Sequence, residues 1–324
     1  MAKKNNTKNQ TLKKSPKPFK DKEKKVDLLI IGQGITGTLT AFQKISEGVS
    51  IRVIDRGLKY SASAKIPTLL SPLEPIAPHS AKFGALKEEW KAKFKLIEKE
   101  LGIQILYHKP TLHLFKTQAQ KQAAETQLTA IDPTLLAHPV PENTLSDFIG
   151  ENAGGYDIRN TSYINTPHFL RQARKYFIER GLLIESKFEK KDLTIDSDQI
   201  KWKSMDIDAL IFCIGAKLKG SVYFDCEPRG DARYCVSTLE TDFFHIMPNN
   251  PLTIENSPID LSTLPRTHII RCGDITIIPL KNGECYIQTA PRTPDATIEI
   301  IPPNTNPPIT SSQSPKITAL TSIW

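Results

Sequence analysis

Six residues near the start of the chain have the types and spacing to hold a dinucleotide: Gly32-Gln33-Gly34-Ile35-Thr36-Gly37. In a G-x-G-x-x-G turn each glycine has its own job. Gly32 permits a tight turn, Gly34 lets a pyrophosphate approach the backbone, and Gly37 lets a helix and a strand pack closely. Ile35 and Thr36 open that helix, whose free N–H groups and positive dipole end suit phosphate. Asp55 follows 23 residues after Gly32. A carboxylate there accepts hydrogen bonds from both ribose hydroxyls and repels a 2′-phosphate, which disfavours NADP. NAD and FAD both stay open on the motif alone.

The elements that must position these residues are legible around them. Val26-Asp27-Leu28-Leu29-Ile30-Ile31 is an apolar run too short for a helix and stopped by a glycine, so it predicts a buried parallel strand. Ile35 to about Glu47 predicts a helix, and Ser50–Ile54 a second strand ending at Asp55. Strand, glycine turn, helix and strand in about 30 residues make a βαβ unit. The alternative is a glycine-rich turn with Asp55 merely solvated. Four coincident conditions favour the dinucleotide site: preceding strand, following helix, spacing and terminal acid.

Beyond this unit, Trp90, Phe94, Ile97 and Leu101 recur at helical spacing, Thr111–Phe115 alternates like a strand, and Gln118–Leu128 reads as helix. Pro167 precedes a helical stretch, Phe169–Arg180, ended by Gly181. Short strands are expected at Leu182–Ile184, Leu193–Ile195 and Ile200–Trp202. Ala209–Ile214 is a further buried strand stopped by Gly215, and Ile275–Leu280 with Cys285–Ile287 predicts a hairpin.

Charge separates the ends from the body. Residues 1–25 hold ten lysines against Asp21 and Glu23, which accounts for the whole net charge of +8. The body is neutral, so it does not read as a basic nucleic-acid-binding fold. The arm reads as a disordered, solubilising segment with weak contact to polyanions. Residues 291–324 carry seven prolines and no glycine and read as a loose tail. No apolar run reaches the roughly 18 residues of a membrane span. No secretory h-region is present, and the five cysteines form no C-x-x-C pair. A soluble, cytoplasmic protein with reduced thiols is expected.

No rival chemistry has a comparable pattern. The seven histidines show no H-x-x-x-H or H-E-x-x-H spacing, and no metal site is expected. Cys213 reads as a small core residue, and Cys226 and Cys235 as loop residues. No G-x-S-x-G argues for hydrolysis. Arg271 and Tyr286 have the chemistry to touch a substrate, but no motif places them.

Residues 26–290 resemble the FAD-dependent oxidoreductases of the D-amino-acid oxidase, glycine oxidase and sarcosine oxidase superfamily. Leu29–Gly37 matches the opening strand and turn, Asp55-Arg56 the acid-plus-base pair, and Ser61-Ala62-Ser63 the small residues near the flavin pyrophosphate. Leu69-Leu70-Ser71-Pro72 resembles the loop entering the substrate lobe, and Tyr163-Ile164-Asn165 with the helix to Gly181 the return to the FAD domain. Phe188 matches a position whose backbone faces the adenine. Asp208–Ala216, through Gly215, resembles the second strand-then-glycine signature, and Ile277-Ile278-Pro279-Leu280 with Gly283 the late hairpin.

The resemblance implies an α/β fold: a Rossmann-like FAD-binding domain, discontinuous in sequence (26–68 and 155–220), interleaved with a mixed-sheet α+β substrate lobe (69–154 and 221–290). It implies FAD as cofactor, held by Gly32, Gly34, Ile35, Thr36, Gly37, Asp55, Arg56, Ser61, Ser63, Phe188 and Gly215. It implies hydride removal from the carbon next to an amine of an amino acid or related small molecule. A tRNA-modifying oxidase of an aminomethyl-uridine is the alternative that would use the lysine arm. Two departures stand out. The entry loop after Pro67 lacks the usual glycines, and no Gly-x-Arg-Pro stretch or closing glycine turn follows Gly283. They imply a truncated or frameshifted chain with weak FAD binding and slow or absent amine oxidation, at the extreme a catalytically dead remnant.

Overall fold

Short apolar runs punctuated by glycine give the chain its strands, and a computed structural model places those among its described residues in four sheets. It describes residues 25–65, 67–71, 80–129, 136–159, 161–196, 199–214, 243–246, 252–254, 257–259, 265–273, 275–280, 284–288 and 316–319. In chain order, β1 is Lys25–Ile31, α1 Ile35–Ser46, β2 Ile51–Asp55, β3 Thr68–Leu70 and α2 Ser80–Leu101. Then come β4 Leu106–His108, β5 Thr111–Leu114, α3 Gln118–Thr129, β6 Leu136–Val140, α4 Ser146–Ile149, β7 Gly155–Ile158 and β8 Ser162–Ile164. α5 is Thr166–Glu179, followed by β9 Leu183–Glu185, β10 Leu193–Ile195, β11 Ile200–Trp202 and β12 Met205–Phe212. The remaining strands are β13 Phe243–Ile246, β14 Leu252–Ile254, β15 Ser257–Ile259, β16 Ile269–Cys272, β17 Ile275–Pro279, β18 Cys285–Gln288 and β19 Lys316–Ala319.

The chain divides into two units. The first comprises Met1–Ser61, Leu170–Pro228 and Thr305–Trp324; the second comprises Ala62–Phe169 and Arg229–Asn304. This interleaving has the discontinuous form that the resemblance implies. Among the described residues its crossovers fall at 61/62 and 169/170, not at 68/69 and 154/155. The reason is pairing: β3 and β8 bond to each other, and β7 bonds to β5 and β6.

In the first unit a sheet of order β10-β11-β12-β1-β2-β9 has β1 parallel to both β12 and β2, and β2 parallel to β9. β1 carries Leu29 and Ile30 fully buried, as a central parallel strand covered on both faces requires. α1 and α5 pack together through Phe42, whose ring lies 5.3 Å from Tyr176 and 5.2 Å from Phe177. On α5 the buried Leu170, Ala173 and Phe177 recur at helical spacing, and Gly181 at φ +64° ends the turn.

The tail expectation needs one correction. Lys316–Ala319 is a strand parallel to β12. Four residues show no period that sequence alone would register, yet an edge strand needs only backbone pairing. The rest of 291–324, and the lysine arm up to residue 24, lie outside the described residues.

The second unit is built on a seven-stranded mixed sheet of order β13-β18-β17-β16-β5-β7-β6 and a three-stranded sheet β3-β8-β4. One core gathers Leu114, Ile149, Ile270, Cys272, Ile275, Ile277, Cys285 and Ile287. Another gathers Tyr163, Ile269, Ile278 and Tyr286. The expected hairpin is β17 with β18, paired Ile277 to Ile287; its turn, including Gly283, lies outside the described residues.

Candidate functional site: the glycine turn and the Asp55 network

The glycine turn is built by close backbone contact at the carboxyl end of β1. Gly32 has φ +101°, where side-chain-bearing residues are strained, and a Cβ there would stand 2.4 Å from the Cys213 carbonyl oxygen. A Cβ on Gly37 would stand 1.9 Å from the Gly32 carbonyl oxygen, so the first helical turn seats directly on the strand end. Gly34 differs: its φ of −78° and ψ of −171° are open to any residue. No side chain caps α1 and no acid lies in its first turn. The first N–H groups of a helix lack intrahelical partners, so Ile35, Thr36 and Gly37 present donors and an uncompensated positive dipole end. An anion fits here.

Asp55 closes the other side. The Gln33 backbone N–H donates to Asp55 Oδ2 at 2.9 Å, and the Gly57 N–H donates to Oδ1 at 2.7 Å. Arg174, on α5, donates through Nη1 to Asp55 Oδ1 at 3.1 Å and to Gln33 Oε1 at 2.7 Å. Its Nη2 and Nε donate to Glu185 Oε1 at 2.6 and 3.1 Å. Gln33 is fully buried and returns Nε2 to the Leu170 carbonyl at 3.2 Å. Asp55 and Glu185 are register partners at the ends of β2 and β9, so the guanidinium sits between two carboxylates that would otherwise repel. Sequence alone assigns no role to the Gln33 side chain, and none to Arg174 or Glu185. Arg174 is 119 positions from Asp55, and its one local signal is a place beside the apolar stripe of α5.

The other expected residues fall as follows. Arg56 lies over the Tyr60 ring at 3.9 Å, in a short turn of helix at Leu58–Tyr60. Ser61 closes that turn in the first unit, and Ser63 belongs to the second. The Phe188 ring packs against Trp202 and Phe212, which anchors its side chain in the core and fixes the backbone at that position. Gly215 lies outside the described residues, as do Cys226 and Cys235. Cys213 is buried and its thiol is pushed up to about 12 by desolvation, the behaviour of a core residue. Among the described residues no cluster of His, Cys, Asp and Glu could hold a metal.

In the second unit, Arg271 on β16 is the register partner of His113 on β5. Tyr286 is buried with Tyr163, Ile269 and Ile278. Burial pushes the Tyr163 phenol up to about 12, and its ring stacks on Tyr107 at 5.0 Å. The His113 ring stacks on Phe115; its Nδ1 is closed off from solvent without a hydrogen-bond partner. Desolvation first, and the Arg271 charge second, lower its pKa to about 3.

A strand, a glycine turn, an uncapped helix and a fixed carboxylate thus converge at the carboxyl end of the parallel strands. The family model of FAD dependent oxidoreductases, called DAO, matches residues 27–297. The chain belongs to that family. FAD is its cofactor, and the donor set at the glycine turn fits a dinucleotide. Glycine oxidase from Geobacillus kaustophilus aligns with TM-score 0.59 at 15% identity, over 84% of this chain and 73% of that one. Iminodiacetate oxidase from Chelativorans sp. BNC1 aligns with TM-score 0.57 at 11% identity, over 85% and 74%. L-alpha-glycerophosphate oxidase from Mycoplasma pneumoniae, with FAD bound, aligns with TM-score 0.53 at 13% identity, over 82% and 71%. At these identities the likeness concerns the fold. No curated protein matches the sequence. Among the described residues no helix is long and apolar enough to cross a membrane.

Proposed function

We propose that this member of the family oxidises the carbon next to the nitrogen of an amino acid or related amine. The supporting observation is the glycine turn beside a fixed carboxylate, in a chain whose family model is that of FAD-dependent oxidoreductases. Two aligned structures, glycine oxidase and iminodiacetate oxidase, carry amine substrates in their names.

In this reading the α1 N-terminus holds the pyrophosphate, Gly34 leaves room for it, and Asp55 accepts from the adenosine ribose. The resemblance also assigns Arg56, Ser61 and the backbone at Phe188 to the nucleotide. Bound FAD supplies the hydride acceptor. The test is stopped-flow mixing of flavin-loaded protein with glycine, sarcosine, iminodiacetate and D-amino acids. Bleaching by one of them, even if slow, is expected; a flavin that stays oxidised with all of them defeats the proposal and favours the catalytically dead remnant.

The concentration of the entire net charge in residues 1–25 favours a second substrate, an aminomethyl-uridine within tRNA. Salt-sensitive tRNA binding that disappears on removal of those residues distinguishes it.

A further inference from the structure

The Asp55 carboxylate is more committed than the sequence suggests, and its remaining capacity can be counted. A carboxylate offers roughly four acceptor positions. Three donors already fill positions here: the Gly57 N–H and Arg174 Nη1 on Oδ1, and the Gln33 N–H on Oδ2. One position is left, on Oδ2. The ribose of a dinucleotide therefore meets a single acceptor, not the pair of acceptors a free carboxylate would present. The reading that Asp55 takes both ribose hydroxyls gives way to one hydroxyl.

We propose that Arg174 is the positioning residue that creates this single-acceptor geometry, forking between Asp55, Gln33 and Glu185 to hold the Asp55 carboxylate in one orientation. The inference rests on the reading of Asp55 as the ribose contact. Its basis is geometric. The guanidinium reaches three acceptors on three chain segments, with the Asp55 and Arg174 side chains only 12% and 13% exposed. A planar fork makes such contacts at little entropic cost, which a lysine cannot imitate. Without it, Asp55 and Glu185 would stand side by side at adjacent strand ends with no cation between them, and a second acceptor position, on Oδ1, would open to the ribose. Arg174 touches the nucleotide only through Asp55.

Calorimetric titration of the flavin-free full chain with ADP, 2′-deoxy-ADP and 3′-deoxy-ADP tests this. In the wild type one deoxy analogue should bind about tenfold more weakly than ADP, the worth of one well-formed hydrogen bond to a charge, and the other within about twofold. Arg174→Met should reduce that preference to about twofold or less. Arg174→Lys, which keeps the charge and serves if the methionine variant does not fold, should also lose most of it. A merely structural arginine would lower the melting temperature and leave the preference intact. Either variant retaining the full tenfold preference overturns the proposal, as does a wild type penalised by both analogues. A wild type penalised by neither overturns the ribose reading of Asp55, and this inference with it.

Discussion

Each unit contains a pair of glycines that no other residue could replace, and the two pairs do different work. In the first unit a Cβ at Gly32 or Gly37 would strike a backbone oxygen at 2.4 or 1.9 Å. In the second, a Cβ at Gly154 would lie 2.4 Å from the Val140 oxygen, and one at Gly155 1.9 Å from the His113 oxygen. The steric demand is the same. What lies beyond it is not. Past Gly32 the chain presents the extended Gly34, an uncapped helix end and a carboxylate held by three donors. At Gly155 the close approach seats β7 on β5, and the neighbouring His113 buries a nitrogen with no partner. A compulsory glycine marks close packing; polar groups oriented by their neighbours mark a place for a ligand.

The comparison breaks first at the glycines. Gly37→Ala and Gly155→Ala should each destabilise their unit by about 3 kcal/mol or more, because backbone, not a flexible side chain, must move. Thermal melts would check this, and a loss below about 1 kcal/mol at either site would show that the backbone gives way easily. Gly34→Val is the contrast: the melting temperature of the flavin-free chain should barely change, while flavin content collapses. Equal flavin content in Gly34→Val and wild type would remove the pyrophosphate from this turn.

Asp55→Ala gives the next largest effect. Loss of one charge-assisted hydrogen bond, partly replaced by water, should weaken FAD about tenfold, roughly 1.4 kcal/mol. Titration of the flavin-free protein measures it, and unchanged affinity returns Asp55 to a role in the protein network alone.

The same contrast governs what could be read from residues alone. β1, α1 and β2 were legible because their apolar runs, glycines and terminal acid lie within about 30 residues and each obeys a local rule. Helices α2, α3 and α5 were legible in their periodicity. The three- and four-residue strands β3, β4, β7 and β8 were not, since their stability comes from distant partners such as Tyr107 opposite Tyr163. Arg174 shows the limit most clearly. Nothing near it in sequence says that a helix following 119 residues behind Asp55 returns to the same strand ends. Only the topology brings it there.

A smaller effect tests the unpartnered histidine of the second unit. His113 in the folded chain titrates at about 3, against an ordinary value of 6.5. Between those values the unfolded chain binds a proton that the folded chain does not, so stability falls as pH drops through 6.5 toward 3. The contribution is about 2 kcal/mol by pH 5. Urea melts of wild type and His113→Gln at pH 7 and pH 5 should show a shallower pH dependence in the variant. Parallel slopes would mean that His113 finds a partner when protonated. Removing residues 1–24 should have the least effect on folding, under about 0.5 kcal/mol, because that stretch contains almost no apolar side chain to bury. A larger shift would show that it packs on the body.

On the proposed function, FAD sits in the turn from Gly32 to Gly37, with Asp55 opposite. The absorption spectrum of the purified full chain, taken alongside Gly34→Val and followed by titration with free FAD, tests it most directly. The wild-type chain is expected to be yellow or to take up FAD in the titration, and Gly34→Val to stay folded and colourless. A folded wild-type chain that stays colourless through the FAD titration, or a valine variant as yellow as the wild type, would contradict it.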